Sequence, residues 1–228
     1  MKYDVVLFDA AETLFTTRGT VGEIYGEVAQ RYGSASSPSE IQVAFIRQFR
    51  HSGPLTIDNE TQWWKDVVHR VFDDVGMVSN FDRFFDEVYE QFRDGRAWRL
   101  FPETLEVLEE LRRLRRTLGV ISNFDSRVYS VMESLEILPF FNSITISSET
   151  GYAKPHPEIF KAAIRAAGVP GSRILYVGDN LADDVLAGAA AGLHTMLIDR
   201  HGRYSGVSGV AVIQNLRQVL NELLTRRS

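Results

Sequence analysis

The 228-residue chain is long enough for one full core plus a smaller lobe, and its 44% hydrophobic and 24% charged content is ordinary for a globular protein. A net charge of −5 argues against a general nucleic-acid binder, which would carry a basic stripe, but not against a small anionic substrate. With no cysteine, disulfides, thiolate catalysis and cysteine-held metal are excluded; no apolar run reaches the roughly 18 residues of a membrane span, and the amino terminus has no signal-peptide pattern, so a cytoplasmic protein is expected.

The chain enters a short apolar run at once. Tyr3-Asp4-Val5-Val6-Leu7-Phe8 predicts a strand over 3–9, and Val5 to Phe8 suits a strand buried on both faces. It ends in Asp9, with Thr13 four residues on. A buried strand that closes on a carboxylate needs a partner for that charge, because burying a lone carboxylate is costly.

Residues 16–95 contain no convincing strand. They read as four helical segments near 20–33, 38–50, 59–75 and 80–94, with turns at Pro38-Ser39-Glu40 and Gly53-Pro54. Trp63, Trp64, Val67, Val68, Val71 and Phe72 form one apolar stripe, and Phe81, Phe84, Phe85, Val88 and Phe92 another; burial preferences make both bundle core. This divides the chain into a core of 1–15 and 96–228 and an all-helical insert of 16–95.

Alternation then sets in. Leu105, Leu108, Leu111 and Leu114 recur at helical spacing over 103–116, after Pro102. The following Arg112-Arg113-Leu114-Arg115-Arg116 cluster is expected on the solvated face and last turn of that helix. Strands follow at about 118–122, 143–147, 173–178, 193–198 and 209–213. Helices are expected from Pro157 to near Gly168, from about Ala182 to Ala191 before Gly192, and from about Leu216 to Leu224. Strand–helix alternation of this kind predicts an α/β fold with a parallel sheet and right-handed crossovers.

Four chemical signals fall at strand ends or in the loops beside them. Asp9 stands at the carboxyl end of the first strand, where open α/β sheets place their ligands. Ser122-Asn123 follows Leu118-Gly119-Val120-Ile121, and a hydroxyl with a neighbouring backbone N–H can bind a phosphoryl oxygen there. Lys154 lies in a proline-flanked loop, Gly151-Tyr152-Ala153-Lys154-Pro155-His156-Pro157, and can neutralise two nearby negative groups. Gly178-Asp179-Asn180-Leu181-Ala182-Asp183-Asp184 flanks a turn able to aim hard oxygen ligands at Mg²⁺. Taken singly, each also serves as a turn, a helix cap or a surface charge. Taken in order, they supply a nucleophilic carboxylate, a metal to offset its repulsion from an anionic substrate, a cation, and donors for the transferring group.

In that combination the chain resembles the haloacid dehalogenase-like hydrolase superfamily, in the branch with a helical cap between its first two motifs. The motifs are Asp9 to Thr13, Ser122-Asn123, Lys154-Pro155, and Gly178-Asp179 to Asp184. The resemblance implies a Rossmann-like three-layer core, a covalent intermediate on Asp9, and in most members a Mg²⁺-dependent phosphatase. On that basis Asp9 and Lys154 are expected to be catalytic, and Thr13, Ser122, Asn123 and Lys154 to bind substrate. Asp9, the backbone carbonyl of Ala11, Asp179 and Asp184 are expected to hold the metal. Phosphatases of the family usually carry a second Asp two residues after the nucleophile as general acid and base. Here that position is Ala11, and the neighbouring Glu12 is the candidate substitute. The expected substrate is a small phosphorylated metabolite, with no nucleic-acid or membrane partner, acted on by a monomer or homodimer.

Three other readings compete. A 2-haloacid dehalogenase would also lack the second Asp, but its fourth motif resembles Ser-Ser-Asn rather than Gly178-Asp179-Asn180. A phosphonate-cleaving enzyme carries Ala at the Ala11 position but needs a cap lysine, and Lys65 stands later than that family would place it. A phosphate-binding or regulatory protein with little turnover would keep the fold and tolerate Ala11. Which of Glu23, Tyr25 and Arg47 faces the site is not fixed by the sequence.

Overall fold

The computed structural model describes residues 3–53 and 55–224; Pro54 of the expected Gly53-Pro54 turn lies outside them. The chain runs through β1 (Val5–Phe8), β2 (Phe15–Thr17), helices α1 (Val21–Arg31), α2 (Pro38–Arg50), α3 (Glu60–Val75) and α4 (Phe81–Arg93), then β3 (Trp98–Leu100) and α5 (Thr104–Arg113). It continues as β4 (Thr117–Ser122), α6 (Arg127–Ser134), β5 (Ser143–Ile146), the single turn α7 (Ser147–Thr150) and α8 (Pro157–Ala167). It closes with β6 (Ile174–Gly178), a π-helical turn (Leu181–Leu186), α9 (Ala187–Ala190), β7 (His194–Ile198), β8 (Ala211–Ile213) and α10 (Arg217–Leu224). Among the described residues no helix is long and apolar enough to cross a membrane.

Six strands form one parallel sheet in the order β5-β4-β1-β6-β7-β8. The period of two along each strand sorts its side chains onto two faces. Val6, Phe8, Leu118, Val120, Leu175 and Val177 pack into one core, beneath α5, α6 and α10. Val5, Leu7, Ile121, Ile174 and Tyr176 pack into the other, against α8. Helices on both faces explain why the central strands β1, β4 and β6 read as near-continuous apolar runs rather than alternating ones. The result is a three-layer α/β fold. Because β4 and β6 flank β1 on opposite sides, the strand order reverses at β1, and a crevice opens at the carboxyl ends of these three strands.

The helices α1–α4 sit above this crevice. Thr20 with Glu23, and Ser37 with Glu40, form capping boxes that start α1 and α2, and Pro38 occupies the first turn of α2. Val67, Val68, Val71, Phe72, Phe84, Phe85, Val88 and Phe92 are buried as expected of a bundle core. Trp63 and Trp64 are only half-buried; their indole N–H groups reach the Gly53 carbonyl and the Asp125 carboxylate.

Several elements differ from the sequence expectation. Residues 15–17 and 98–100 form an antiparallel ribbon at the entry and exit of the helical segment. At three residues per strand, neither shows a period. α6 is absent from the sequence reading altogether. The helix expected from Ala182 opens as a wide turn, because Asn180 Oδ1 accepts from the N–H groups of Ala182 and Asp183 while Asp184 N and Val185 N both reach the Asn180 carbonyl. The arginine cluster does not all face solvent. Arg115 adopts a left-handed conformation after α5 (φ 55°), and Arg116 turns inward to donate to the Tyr3 carbonyl at 2.7 Å.

A second inward arginine ties the sheet edge to the loop after β1. Arg200, just beyond β7, donates to Glu103 Oε1 at 2.8 Å and to the Thr13 carbonyl at 2.7 Å, with its guanidinium 3.5 Å from the Phe101 ring centroid. Both side chains of the pair are nearly inaccessible, and Glu103 also accepts from Leu216 N. Removing one partner of a buried pair strands the other charge. Arg200→Leu is therefore expected to cost about 3–5 kcal/mol in urea unfolding, and Arg200→Leu with Glu103→Leu to recover part of that loss. A loss below about 1 kcal/mol for the single variant would show that the pair carries no structural weight.

Candidate active site

Asp9 leaves β1 still in the ladder, its N–H donating to the Val177 carbonyl at 2.8 Å, so the sheet itself fixes the carboxylate. The chain then doubles back tightly. Leu14 N bonds the Ala10 carbonyl at 2.8 Å, Glu12 N bonds the Phe15 carbonyl at 2.7 Å, and Glu12 takes a left-handed φ of 61°. This loop buries Thr13 completely, and Thr13 Oγ1 has no hydrogen-bond partner among the described residues. A buried hydroxyl without a partner is a place where a ligand oxygen would relieve a desolvation cost.

Lys154 is the hub. Its Nζ lies 2.6 Å from Asp9 Oδ1, 2.6 Å from Asp184 Oδ1, 3.1 Å from the Tyr176 hydroxyl and 3.3 Å from the Ile121 carbonyl. Tyr176 in turn donates to Asp184 Oδ1 at 2.6 Å. The Lys154 backbone is held from across the crevice: Asn123 Nδ2 donates to its carbonyl at 2.9 Å, and its N–H donates to Asn123 Oδ1 at 2.6 Å. The Lys154–Pro155 peptide is cis. Ser122 is buried at the end of β4, immediately before Asn123.

The acidic turn after β6 completes the group. Gly178 has no room for a side chain, since a Cβ there would stand 2.4 Å from the Asp184 Cβ and Cγ. That space lets Asp184 fold back, where its Oδ2 accepts from Asn180 N at 3.0 Å. The π-helical turn is what aims Asp184 inward, in keeping with the frequent placement of such turns at functional sites. Asp179 Oδ2 accepts from Arg203 Nη2 at 2.9 Å. Carboxylate oxygens of Asp9, Asp179 and Asp184 all lie within 4.8 Å of one another.

Charge balance explains the electrostatics. Three carboxylates face one ammonium and one guanidinium. Burial is the largest effect on Asp9; Lys154 opposes it, and the charges of Asp184 and Asp179 add to it, so its carboxyl is pushed up to about 7. Burial and Asp184 likewise raise Asp179, against Arg203 and Lys154. Burial works against the Lys154 charge, but Asp9 and Asp184 outweigh it and keep the ammonium more firmly protonated than usual. The excess of negative charge, in a donor set made of hard oxygens, fits a divalent cation such as Mg²⁺.

The structure thus brings Asp9, Lys154, Asp179 and Asp184 together, with Thr13, Ser122 and Asn123 in the same crevice wall. Glu12 is placed differently. Its Oε1 accepts from Thr16 Oγ1 at 2.6 Å and its Oε2 stands 3.8 Å from His201 Nε2. Of the helical-segment candidates, Glu23 caps α1 and Arg47 pairs with Asp74 at 2.5 Å, whereas Tyr25 lines a cavity beside Ala11 and Asn123.

Sequence reasoning missed Tyr176, Arg203 and a clasp below the cavity. Glu60 accepts from Ser126 N at 2.9 Å and from its hydroxyl, Trp64 donates to Asp125, and Arg127 pairs with Asp125 while lying over the rings of Trp64 and Tyr89 at 4.6 and 4.5 Å. The available signal for Tyr176 was its hydroxyl, which in a buried strand must find a partner. For the clasp it was the charged Asp125-Ser126-Arg127 set one residue beyond Ser122-Asn123.

The chain is similar to known proteins along almost its whole length. The haloacid dehalogenase-like hydrolase family matches residues 3–192. The haloacid dehalogenase-like hydrolase domain-containing protein 3 of Danio rerio is 30% identical over 205 residues, covering 86% of this chain and 84% of the relative. Among solved structures, a HAD phosphatase from Thermococcus onnurineus superposes with a TM-score of 0.71 at 21% identity, covering 99% of this chain and 100% of that one. The L-2-haloacid dehalogenase of Xanthobacter autotrophicus superposes with a TM-score of 0.72 at 14% identity, covering 97% and 98%. These two structures share the fold and differ in chemistry, which leaves the reaction to be argued from the site. By family match and relatives, the chain belongs to the haloacid dehalogenase-like hydrolases.

Proposed function

We propose that the chain is a Mg²⁺-dependent phosphatase that hydrolyses a small phosphate ester through an aspartyl-phosphate on Asp9, with residues 16–95 acting as a cap over a core of 1–15 and 96–228. The observation that carries this reading is the buried Asp9 carboxylate held by Lys154 within 4.8 Å of carboxylate oxygens of Asp179 and Asp184. Without a metal, two further acids at that distance raise the pKa of Asp9 and so work against it as a nucleophile. A carboxylate attacking a phosphoryl group can use them if they hold a cation.

In this reading Asp9, the Ala11 carbonyl, Asp179 and Asp184 would hold Mg²⁺, which when bound supplies positive charge for the phosphoryl oxygens and keeps Asp9 ionised. Lys154 bridges nucleophile and phosphoryl group as a point charge, a task for which its compact ammonium suits better than a planar fork. Thr13 Oγ1 and Ser122 donate to phosphoryl oxygens, and Asn123 positions Lys154. An Asp9 oxygen bonds phosphorus as the ester P–O bond breaks, and water then releases phosphate from the acyl phosphate. Ala11 leaves no carboxylic acid for the leaving group and no base for the water. A weakly catalytic phosphate-binding protein is the second reading, and the methyl group at Ala11 is what favours it.

Asp9→Asn is expected to reduce phosphatase turnover by about 10³-fold or more while the far-UV circular dichroism stays unchanged; activity within tenfold of wild type would remove Asp9 as nucleophile. Ala11→Asp is expected to raise turnover of alkyl phosphates by about 10²-fold, the usual worth of a placed acid/base, and an unchanged rate would assign proton transfer to another group.

The raised Asp9 carboxyl predicts a pH signature without substrate. Its pKa is about 7 in the folded state against an ordinary value of 3.8, so between these the folded protein holds a proton that the unfolded chain releases. Stability from this group is therefore present below pH 3.8 and lost as pH rises through about 7. In chelator, the melting temperature of wild type should fall relative to Asp9→Asn between pH 5 and 8, and saturating Mg²⁺ should abolish that relative fall. A pH-independent difference between the two proteins would mean that Asp9 is ionised throughout.

A further inference from the structure

A cavity of about 210 Å³ lies between the helical segment and the sheet, with Ala11 and Asn123 on its inner wall. Most of the remaining lining is aromatic: Tyr25, Phe45, Trp64, Phe92, Trp98 and Phe124, closed by Val21 and Phe49. Phe45, Phe49 and Trp64 stack on one side at centroid distances of 5.7–6.5 Å, and Phe15, Trp98 and Phe124 pack edge-on or tilted on the other.

Two charges touch this cavity, and they neutralise each other. Arg127 donates to Asp125 through Nε at 2.9 Å and Nη2 at 2.6 Å, and Asp125 also receives the Trp64 indole N–H. Both are buried, and the Arg127 guanidinium also lies over the rings of Trp64 and Tyr89. A sugar seated here would leave several hydroxyls unpaired, each costing about 1–3 kcal/mol. Size narrows the occupant further. An apolar cavity of roughly 150 Å³ accommodates benzene, so about 210 Å³ suits a single ring with one small substituent better than a nucleoside.

Ala11 joins this cavity to the chemistry. The position where a general acid would project carries a methyl group that forms part of the apolar wall. A leaving group that needs no protonation has no use for that acid. Phenols have pKa values near 10, against about 15.7 for water-like hydroxyls, so an aryl oxygen departs as the anion about five units more readily than an alkyl one.

The geometry points to a phosphate monoester of a single-ring phenol as the substrate, its ring in the aromatic cavity against Ala11 and its phosphoryl group at Asp9. This inference rests on the phosphatase reading given above and names the substrate class of the same site. The Asp9 oxygen forms its bond to phosphorus as the aryl P–O bond breaks; the electron pair leaves on the phenolate oxygen, which is protonated by solvent after release.

The test uses the two cavity tryptophans. In the full-length protein with Mg²⁺, phenylphosphonate, which has no ester bond, should change the fluorescence of Trp64 and Trp98 and bind at least tenfold more tightly than methylphosphonate. Phenyl phosphate should be hydrolysed with a kcat/KM at least 100-fold above that of glycerol phosphate or a hexose phosphate. Val21→Phe, which fills the cavity, should erase the preference for the phenyl compound, with folding checked by urea unfolding. Phe49→Ala, at a position already 42% exposed, should instead extend acceptance to naphthyl phosphate. Equal affinity for the two phosphonates, or a hexose phosphate turned over within tenfold of phenyl phosphate, overturns the assignment. Tight phenylphosphonate binding that Val21→Phe abolishes, with no ester hydrolysed at all, upholds the aryl site and overturns the phosphatase reading.

Discussion

One ammonium group organises this molecule. Lys154 Nζ stands 2.6 Å from a carboxylate that ends β1 and 2.6 Å from another in the turn after β6, inside a crevice that shuts both acids away from solvent. Burial of such charges is tolerated only when geometry and additional hydrogen bonds compensate. That requirement reaches outward into the fold. Asn123 must grip the lysine backbone, Gly178 must leave room for Asp184, and Asn180 must widen the turn that carries it. The parallel sheet meets all three demands by ending β1, β4 and β6 side by side.

The same segment that positions the lysine also fastens the helices above it. Asn123 turns toward the Lys154 loop, and within four residues Asp125, Ser126 and Arg127 turn toward Trp64, Glu60 and Tyr89. The polypeptide between β4 and α6 is thus a shared seam, engaged by the charge cluster on one side and by the helical segment on the other. An aromatic cavity adjoins it because the indole of Trp64 is committed to Asp125 at its polar edge, which leaves its ring faces for packing.

Much of this was legible in the sequence, for identifiable reasons. The inner strands stood out because burial on both faces makes each a continuous apolar run. Asp9 and Asp179 stood out because charges at the ends of such runs require partners, Lys154 because it sits in a loop stiffened by prolines, and Asp184 because it closes the acidic turn after β6. Tyr176 did not, since within Ile174-Leu175-Tyr176-Val177 an aromatic ring reads as one more apolar side chain. Arg203 lies in a loop rich in glycine and serine, where no periodicity indicates direction. The inward course of Arg116 depends on the left-handed turn at Arg115, a backbone choice that non-glycine residues rarely make. α6 spans only eight residues, little more than two turns of pattern, and the three-residue strands of the ribbon offer less still.

That ribbon has its own consequence. Phe15 faces Leu100 and Thr17 faces Trp98, so the chain departs for the helices and comes back through two adjacent strands. Segments whose ends meet in this way can be inserted, removed or exchanged with little disturbance to the host, because the surrounding backbone sees the same closed junction whatever lies beyond it. The helices can thus diverge, gaining or losing rings around the cavity, while the sheet beneath keeps its register. Among the described residues, it is the contacts of Glu60, Trp64 and Tyr89 with Asp125, Ser126 and Arg127 that tie substitutions in one part to the other. Over evolutionary time, the choice of molecule and the chemistry done to it can change at different rates within a single chain.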